Sequence, residues 1–203
     1  QWATAVGASG GFWYLLEDGQ RVVAIDLSGR ARAVLGDFPD AYLDQAVALD
    51  EGLLFSVDRS FLGSGLGVEL RQAHGAEPGT RLLGEWSPST GGCGWHVALP
   101  PEGSASPALF AVQTYCTAAA SELWASDGSL ERTRSLRSFP ADHLDFAPAA
   151  NRSRGTILFL ASHFDEGAAV SRYAIWRSDG TSAGTQEVAE LPAGSYSGTY
   201  DFA

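Results

Sequence analysis

Short apolar runs separated by turn-forming residues occupy the chain from end to end. Typical runs are Leu53–Val57, Val68–Gln72 and Arg81–Trp86, with Gly, Asp, Ser and Pro between them. Runs of this length that are rich in Val, Leu, Ile and aromatic residues predict β-strands. No 11-residue window between turn signals keeps the apolar spacing of an amphipathic helix. The pattern therefore predicts an all-β protein.

The runs recur with a period of about 50 residues, and one segment shows the repeat most clearly. Residues 121–129 read Ser-Glu-Leu-Trp-Ala-Ser-Asp-Gly-Ser, and residues 173–181 read Tyr-Ala-Ile-Trp-Arg-Ser-Asp-Gly-Thr. This places Trp124 and Trp176 52 residues apart. A third copy, Glu69 to Thr80, has other residues in place of the Trp and the Asp, and a fourth, Val22 to Phe38, is marginal.

Each repeat contains four predicted strands. In one repeat they are Gln45–Leu49, Leu53–Val57, Val68–Gln72 and Arg81–Trp86. Four strands in a period of about 50 residues are typical of a blade of a β-propeller, and stacked blades bury each other's faces. The predicted fold is therefore a single β-propeller, or part of a larger one, built of four-stranded antiparallel blades. The units are about 1–39, 40–87, 88–140 and 141–192, with the start of a fifth at 193–203.

The repeat resembles the ELWxxDGT repeat of large secreted or surface bacterial proteins. Residues 173–185 are most similar, and residues 121–133 depart from the pattern at Ser129 and Arg132. In the third copy Arg71 replaces Trp and His74 replaces Asp. The resemblance implies a secreted or surface location but carries no catalytic residues onto this chain.

The repeated residues have predicted structural roles. An Asp side chain can accept a hydrogen bond from the backbone N–H two residues on, and Gly tolerates positive φ. We expect the Trp side chains to pack on a neighbouring blade and the last Thr to close the turn through its hydroxyl. The residues in these roles are Trp124, Asp127, Gly128, Thr133, Trp176, Asp179, Gly180, Thr181 and Thr185.

The composition of the chain limits the classes of partner that it can bind. The net charge of −11 argues against binding to a phosphate backbone, which needs clustered cations. All 13 basic residues are Arg, and Met is absent, which indicates a mature form or an excised part. No apolar run approaches the length of a membrane helix, and no signal peptide is recognisable. The expected partner is a protein, a glycan or the remaining blades of a parent chain, with no membrane insertion.

Two cysteines are either buried thiols or a disulfide. Cys93 precedes the predicted first strand of the third unit (Trp95–Leu99), and Cys116 follows the second strand (Ala108–Tyr115). These strands should be antiparallel neighbours, so a bridge between them is geometrically reasonable. It would close a loop of about 24 residues, add about 3 kcal/mol on the chain-entropy model and place the protein outside the cytosol.

The sequence contains few candidate catalytic or metal-binding residues. His96 and His143 fall near first strands, which line a propeller channel, and could form a site with Asp44, Asp145 and Asp201; the alternative is that these Asp residues make a repeated local contact. His74 and His163 have no zinc spacing. No cofactor is expected, although Ca²⁺ could bind at Asp165-Glu166 or at the Asp127 and Asp179 turns.

Three other features have structural readings that we favour. Residues 7–11 match the Gly-x-Ser-x-Gly elbow, but a strand follows where a helix is required, which indicates a hairpin. The Gly-rich residues 63–67 read as a loop. Several aromatic residues could stack on sugars or pack between blades: Trp13, Tyr14, Tyr42, Tyr115, Tyr196 and Tyr200.

The leading functional expectation is a non-enzymatic recognition, adhesion or structural propeller that is extracellular, at the cell surface or periplasmic. The alternatives are a polysaccharide-active or hydrolytic enzyme with a channel site, and an accessory domain of a secreted protease. Ser197 to Ala203 reads as the first strand of a fifth unit. We therefore favour a piece of a longer propeller over a ring closed by this strand.

Overall fold

A computed structural model describes residues 3–50, 52–59, 67–87, 94–98, 108–115, 120–140, 142–146, 156–165 and 170–192. The prediction of an all-β protein with four-stranded antiparallel sheets is confirmed. The first sheet contains β1 (Ala3–Ser9), β2 (Phe12–Glu17), β3 (Arg21–Asp26) and β4 (Arg32–Asp37). The second contains β5 (Tyr42–Leu49), β6 (Gly52–Asp58), β7 (Val68–Ala73) and β8 (Arg81–Trp86).

The other two sheets have the same order of strands. The third contains β9 (Gly94–Ala98), β10 (Ala108–Tyr115), β11 (Ala120–Ser126) and β12 (Arg134–Pro140). The fourth contains β13 (Asp142–Phe146), β14 (Ile157–Asp165), β15 (Val170–Ser178) and β16 (Gln186–Leu191). A 3₁₀ turn, Leu130–Arg132, lies between β11 and β12. Within each sheet every strand pairs with the next along the chain, so every sheet is an antiparallel meander.

The sheets pack face to face in chain order. One apolar cluster joins the first and second sheets, another the second and third, and the last the third and fourth. The second sheet is covered on both faces, and all seven residues of β6 are therefore buried. In contrast, five of the six residues of β16 in the fourth sheet are exposed. Because a sheet exposes its alternate side chains on opposite faces, the two central sheets carry apolar residues at successive positions.

Aromatic contacts recur where one sheet meets the next. An aromatic residue near the end of a fourth strand, or directly after it, packs edge-on against a Phe in the second strand of the following sheet. The three pairs are Phe38–Phe55, Trp86–Phe110 and Phe139–Phe159, with ring centroids 5.9, 6.4 and 5.9 Å apart. Edge-to-face geometry is favourable because the positive ring edge meets the negative face of its partner. This contact therefore sets how successive sheets are stacked.

A bulge recurs between the third and fourth strands of every sheet. The register of the pair shifts between Val22 and Val23, between Leu70 and Arg71, between Leu123 and Trp124, and between Ile175 and Trp176. A bulge adds twist and re-aims the side chains beside it. The four units therefore share this bulge as well as their strand order.

Candidate functional site

Two hairpin turns carry the repeated Asp-Gly sequence with closely similar hydrogen bonds. In the fourth sheet, Asp179 Oδ1 accepts bonds from the backbone N–H of Thr181 (2.9 Å) and from its hydroxyl (2.7 Å). In the third, Asp127 Oδ1 accepts the same two bonds from Ser129, at 2.9 and 2.7 Å. Both Asp side chains therefore lie where the sequence predicted, bonded to the residue two positions on.

The Thr that ends each turn closes it through its hydroxyl. Thr185 Oγ1 donates to the Thr181 carbonyl at 2.7 Å, and Thr133 Oγ1 donates to the Ser129 carbonyl at 2.7 Å. Gly180 has φ 86° and Gly128 has φ 90°, a region that favours glycine. At Gly128 a Cβ atom would also collide with the Gln72 side-chain amide of the preceding sheet.

A buried serine completes each turn, and the sequence interpretation missed it. Ser178 Oγ lies 2.7 Å from Thr185 Oγ1 and accepts from the Gly180 N–H at 3.2 Å. Ser126 repeats these contacts, with Oγ 2.8 Å from Thr133 Oγ1 and 3.0 Å from the Gly128 nitrogen. The signal was present in the sequence, because a Ser precedes Asp-Gly in both copies.

The turn carboxylates are held ionised. The hydroxyl and backbone N–H of Thr181 lower the pKa of Asp179. At Asp127 burial acts to raise the pKa, but the Ser129 hydrogen bonds and the charge of Arg132 outweigh it and the pKa is lowered. In the first sheet Asp26 accepts bonds from the Ser28 hydroxyl and the Arg30 N–H, which lower its pKa too. These hydrogen bonds favour the charged form.

The two repeat tryptophans lie between sheets. Trp124 packs edge-on against Trp86 of the second sheet at 5.3 Å, and its Nε1 donates to Glu122 at 2.8 Å. Trp176 packs edge-on against Phe139 of the third sheet at 5.0 Å. Both rings therefore contribute to the apolar contact that joins successive sheets.

An open polar cleft lies between the second and third sheets, beside one Asp-Gly turn. It has a volume of about 600 Å³ and is bounded by the β7–β8 hairpin on one side and residues 127–129 on the other. The ionisable and amide side chains around it are Gln72, His74, Glu77, Arg81 and Asp127. These side chains can supply one cation, two carboxylates and several neutral donors and acceptors. The cleft is therefore the best candidate for a binding site in the part of the chain that the structure describes.

The predicted channel residues are located only by their backbones. Asp44 lies in β5, His96 in β9, and His143 and Asp145 in β13, whereas Asp201 lies outside the described residues. Nearby, His163 Nδ1 lies 3.1 Å from Asp142 Oδ1 across the β13–β14 pair. This His–Asp contact was not predicted. The convergence that an enzymatic site requires stays a hypothesis.

No cluster of three or more His, Cys, Asp or Glu side chains suited to a metal ion occurs among the described residues. Of the candidate calcium ligands, Asp165 ends β14 and Glu166 lies outside the described residues. The cysteines of the predicted disulfide, Cys93 and Cys116, also lie outside them, although the adjoining Gly94 and Tyr115 are paired across β9 and β10.

The aromatic residues considered for stacking on sugars differ in how far their side chains are exposed. Trp13 and Tyr42 are both about half exposed. Tyr14 is buried, and burial raises the pKa of its hydroxyl against the opposing effect of the Gly75 backbone. The side chain of Tyr115 is not described, and Tyr196 and Tyr200 lie outside the described residues.

The two Gly-rich segments differ in how much of them is described. The Gly-x-Ser-x-Gly segment forms the β1–β2 hairpin, with Gly10 and Gly11 at positive φ. The segment 63–67 is described only at Gly67. The described part of the chain contains no helix long and apolar enough to cross a membrane.

Comparisons with known proteins inform the fold. No protein-family model and no curated protein matches the chain. Among solved structures it is similar to an oligogalacturonate lyase in complex with manganese, with a TM-score of 0.53 and 11% sequence identity. The match covers 90% of this chain and 51% of the lyase, so the chain spans about half the length of that protein. At this identity the likeness concerns the fold alone.

Proposed function

We propose that the four sheets are successive blades of a β-propeller and that the chain is an extracellular, non-enzymatic recognition protein of the ELWxxDGT-repeat type. The face-to-face stacking of four-stranded meanders supports the first part of this proposal. The fold likeness to a β-propeller-like lyase of about twice the length supports it further. On this view the chain forms part of a larger ring.

The polar cleft beside residues 127–129 carries the recognition proposal. It lies between the loops of two stacked sheets, where a rigid scaffold presents variable contacts. A sugar exposes many hydroxyl groups, each of which needs a donor or an acceptor when water is excluded. Gln72, His74 and Glu77 supply such groups, and Arg81 adds a cation that can hold a carboxylate. The favoured ligand is therefore a glycan, and in particular one that carries acidic sugars.

Binding of oligosaccharides to the purified chain tests this proposal. We expect an array of neutral and acidic glycans to show retention of acidic members, and Arg81→Ala to weaken it at least tenfold. Arg32→Ala is the matched control, because Arg32 also begins a fourth strand but pairs with Glu17 at 2.6 Å, away from the cleft. An array that is blank, or equal losses in both variants, would refute glycan recognition in the cleft.

The extracellular location rests on the predicted disulfide. Thiol titration of the unfolded chain before and after reduction measures it directly. We expect no reactive thiol before reduction and two afterwards, contributed by Cys93 and Cys116. Two free thiols in protein purified from an oxidising compartment would remove this support.

A second candidate function is cleavage of acidic polysaccharides, which the fold likeness to the lyase favours. Its candidate residues are His96, His143, Asp44 and Asp145. Incubation with oligogalacturonates, with and without Mn²⁺, would show an unsaturated product by its ultraviolet absorbance. Turnover that His143→Ala abolishes would replace the non-enzymatic proposal, whereas binding without product would retain it.

A further inference from the structure

A second cavity lies between the first and second sheets and shares a wall with the polar cleft. It has a volume of about 400 Å³, within the size range of small-molecule sites. Phe12 and Tyr14 of β2 line it on one side, and Asp50 and residues 74–77 line it on the other. The first and last residues of that segment also line the polar cleft. The tip of the β7–β8 hairpin therefore separates the two spaces, and we call the second one the hairpin cavity.

The hairpin tip between the two spaces lacks the residues that hold the equivalent turns. Residues 73–75 read Ala-His-Gly, where the third and fourth sheets have Ser-Asp-Gly. Strand register gives the same alignment, with Ala73 equivalent to Ser126 and Ser178. In those two sheets the Ser hydroxyl accepts from the Gly N–H, and the Asp carboxylate accepts from the residue two positions on. The second sheet has neither side chain, and its exposed His74 borders both spaces instead.

Tyr14 is a second departure from the repeat, on the opposite wall of the hairpin cavity. Its equivalents in the other three sheets are Leu54, Leu109 and Leu158. Tyr14 is 0% exposed, and its hydroxyl oxygen has no hydrogen-bond partner among the described residues. The Gly75 backbone lies close enough to oppose the rise in the pKa of this hydroxyl but does not form a hydrogen bond with it. Because a buried hydroxyl without a partner is unfavourable, its presence here indicates a ligand that accepts its hydrogen bond.

The groups around the hairpin cavity define the class of ligand. Asp50 and Glu77 carry exposed carboxylates, which accept hydrogen bonds, whereas the Tyr14 hydroxyl needs an acceptor. A sugar hydroxyl donates and accepts at once and suits both, whereas an ammonium group has no acceptor. The partly buried Phe12 ring adds an apolar surface for the C–H face of a sugar. No Arg is among the described residues that line the cavity, so a sugar carboxylate would face two like charges without a guanidinium to balance them.

We propose that the hairpin cavity binds a neutral sugar unit, and that a glycan held by Arg81 in the polar cleft continues into it across His74 and Glu77. The continuous ligand rests on the glycan recognition proposed for the polar cleft. It is an oligosaccharide that joins an acidic sugar to a neutral one. The residues that depart from the repeat, Tyr14 and His74, are then those that face this ligand.

Binding of monosaccharides tests the hairpin cavity separately from the polar cleft. Saturation-transfer NMR compares glucuronic acid with the methyl glycosides of glucose, galactose and mannose. We expect the wild type to bind glucuronic acid and at least one methyl glycoside. Tyr14→Phe should weaken the methyl glycoside about tenfold and leave glucuronic acid unchanged, and Arg81→Ala should do the opposite. Tyr173→Phe is the control, because it removes a tyrosine hydroxyl from β15 of the fourth sheet, away from both spaces.

Linked sugars test whether one glycan occupies both spaces. Oligosaccharides of increasing length, in which glucuronic acid alternates with the neutral sugar that binds, are titrated by calorimetry. We expect the affinity to rise about tenfold above that of glucuronic acid at the length that spans the hairpin tip, and Tyr14→Phe to abolish this rise. Circular dichroism checks that each variant is folded, and Tyr14→Leu, which matches the equivalent positions, replaces Tyr14→Phe if that variant is unfolded.

The outcomes separate this inference from the function proposed for the polar cleft. If no methyl glycoside binds, if Tyr14→Phe binds all the sugars as the wild type does, or if the affinity does not depend on length, the inference is overturned and acidic-sugar recognition by Arg81 stands. If glucuronic acid and the oligosaccharides do not bind at all, the proposed function is refuted and the continuous ligand with it.

Discussion

The interface between the third and fourth sheets and the interface between the first and second sheets use the same positions with different chemistry. In the former, Phe139, Phe159 and Trp176 form an aromatic group, and the Arg137 guanidinium lies 4.4 Å from the centre of the Trp176 ring. In the latter, Phe38 and Phe55 are retained, but Arg71 takes the place of the Trp. The Arg71 guanidinium lies 5.5 Å from the Phe38 ring centre.

At the three internal interfaces this position thus holds a flat group, Arg71, Trp124 or Trp176, and not a single residue type. A guanidinium is planar and stacks on an aromatic face much as an indole does. Its charge, however, must be balanced, and Glu69 pairs with both Arg71 and Arg59 while the Arg71 guanidinium also donates to Thr80 at 3.1 Å. In the third sheet the equivalent Glu122 accepts the Trp124 indole N–H instead. The same Glu thus orients the flat group in both versions.

The largest expected effect is the loss of Trp176. Trp176→Ala removes a buried ring from the contact with Phe139 and Phe159, and we expect the free energy of unfolding to fall by about 3 to 5 kcal/mol. Arg71→Ala at the equivalent position should cost about 1 to 2 kcal/mol, because its side chain is partly solvated. Urea unfolding followed by far-ultraviolet circular dichroism measures both. Equal losses would mean that the two interfaces contribute alike.

A smaller effect on the unfolding free energy is expected for the two equivalent glutamates, Glu69 and Glu122. Glu69→Gln removes the charge that balances two guanidinium groups, and we expect a cost of about 1 to 2 kcal/mol that shrinks as salt is added. Glu122→Gln keeps a neutral acceptor for the Trp124 indole and should cost about 0.5 kcal/mol with little salt dependence. Unfolding free energies at low and high NaCl concentration provide the readout. A salt-independent cost at Glu69 would contradict the role assigned to its charge.

The turn between the third and fourth strands also differs between the fourth sheet, which has Asp179, and the second sheet, which has His74 at the same position. Asp179→Ala removes both hydrogen bonds that Thr181 donates, and we expect a loss of about 1 kcal/mol. In the second sheet His74 occupies the Asp position, and its replacement by Ala should change the unfolding free energy by less than about 0.5 kcal/mol. Thermal unfolding of the two variants compares them, and a larger effect at His74 would reverse the order predicted here.

The smallest effect is a dependence on pH. The pKa values of Asp127 and Asp179 are lowered in the folded protein, so the unfolded chain binds more protons at acidic pH. Their contribution to stability is therefore complete above the unfolded pKa of about 3.9 and is lost as pH falls through the lower folded values. The difference between wild type and Asp179→Ala should shrink below about pH 4. A constant difference down to the acid limit would show that the Asp179 charge is not involved.

Part of the fold was readable from the sequence because the signals are local. The strand predicted at Arg81–Trp86 has those bounds in the structure, and Leu53–Val57 lies within β6. Alternation of apolar residues and turn signals depends on neighbouring positions only, so a single chain reveals it. The first strand of the third unit, predicted at Trp95–Leu99, is described over Gly94–Ala98, and Leu99 lies outside the described residues.

The candidate site was less predictable. The Asp127 and Asp179 turn bonds follow from sequence alone because they connect residues two positions apart. The Ser178–Thr185 contact was missed because, although a Ser precedes Asp-Gly in both copies, the sequence does not show that this Ser is buried. The cleft was missed as well, since it lies between Arg81 and a turn of the following sheet, and these residues are far apart in the sequence.

The sequence by itself determined the strands and the chemistry of the Asp-Gly turns, because each depends on contacts within a few residues. It also showed the four-fold recurrence of the strands directly, as a repeat with a period of about 50 residues. Only the tertiary structure decided what each face touches. It placed Arg71 above Phe38 as a substitute for Trp, and it left Trp13 exposed at a position that is buried in the other sheets. Burial belongs to the stacking of sheets, which brings together residues far apart in the chain, and no local pattern can specify it.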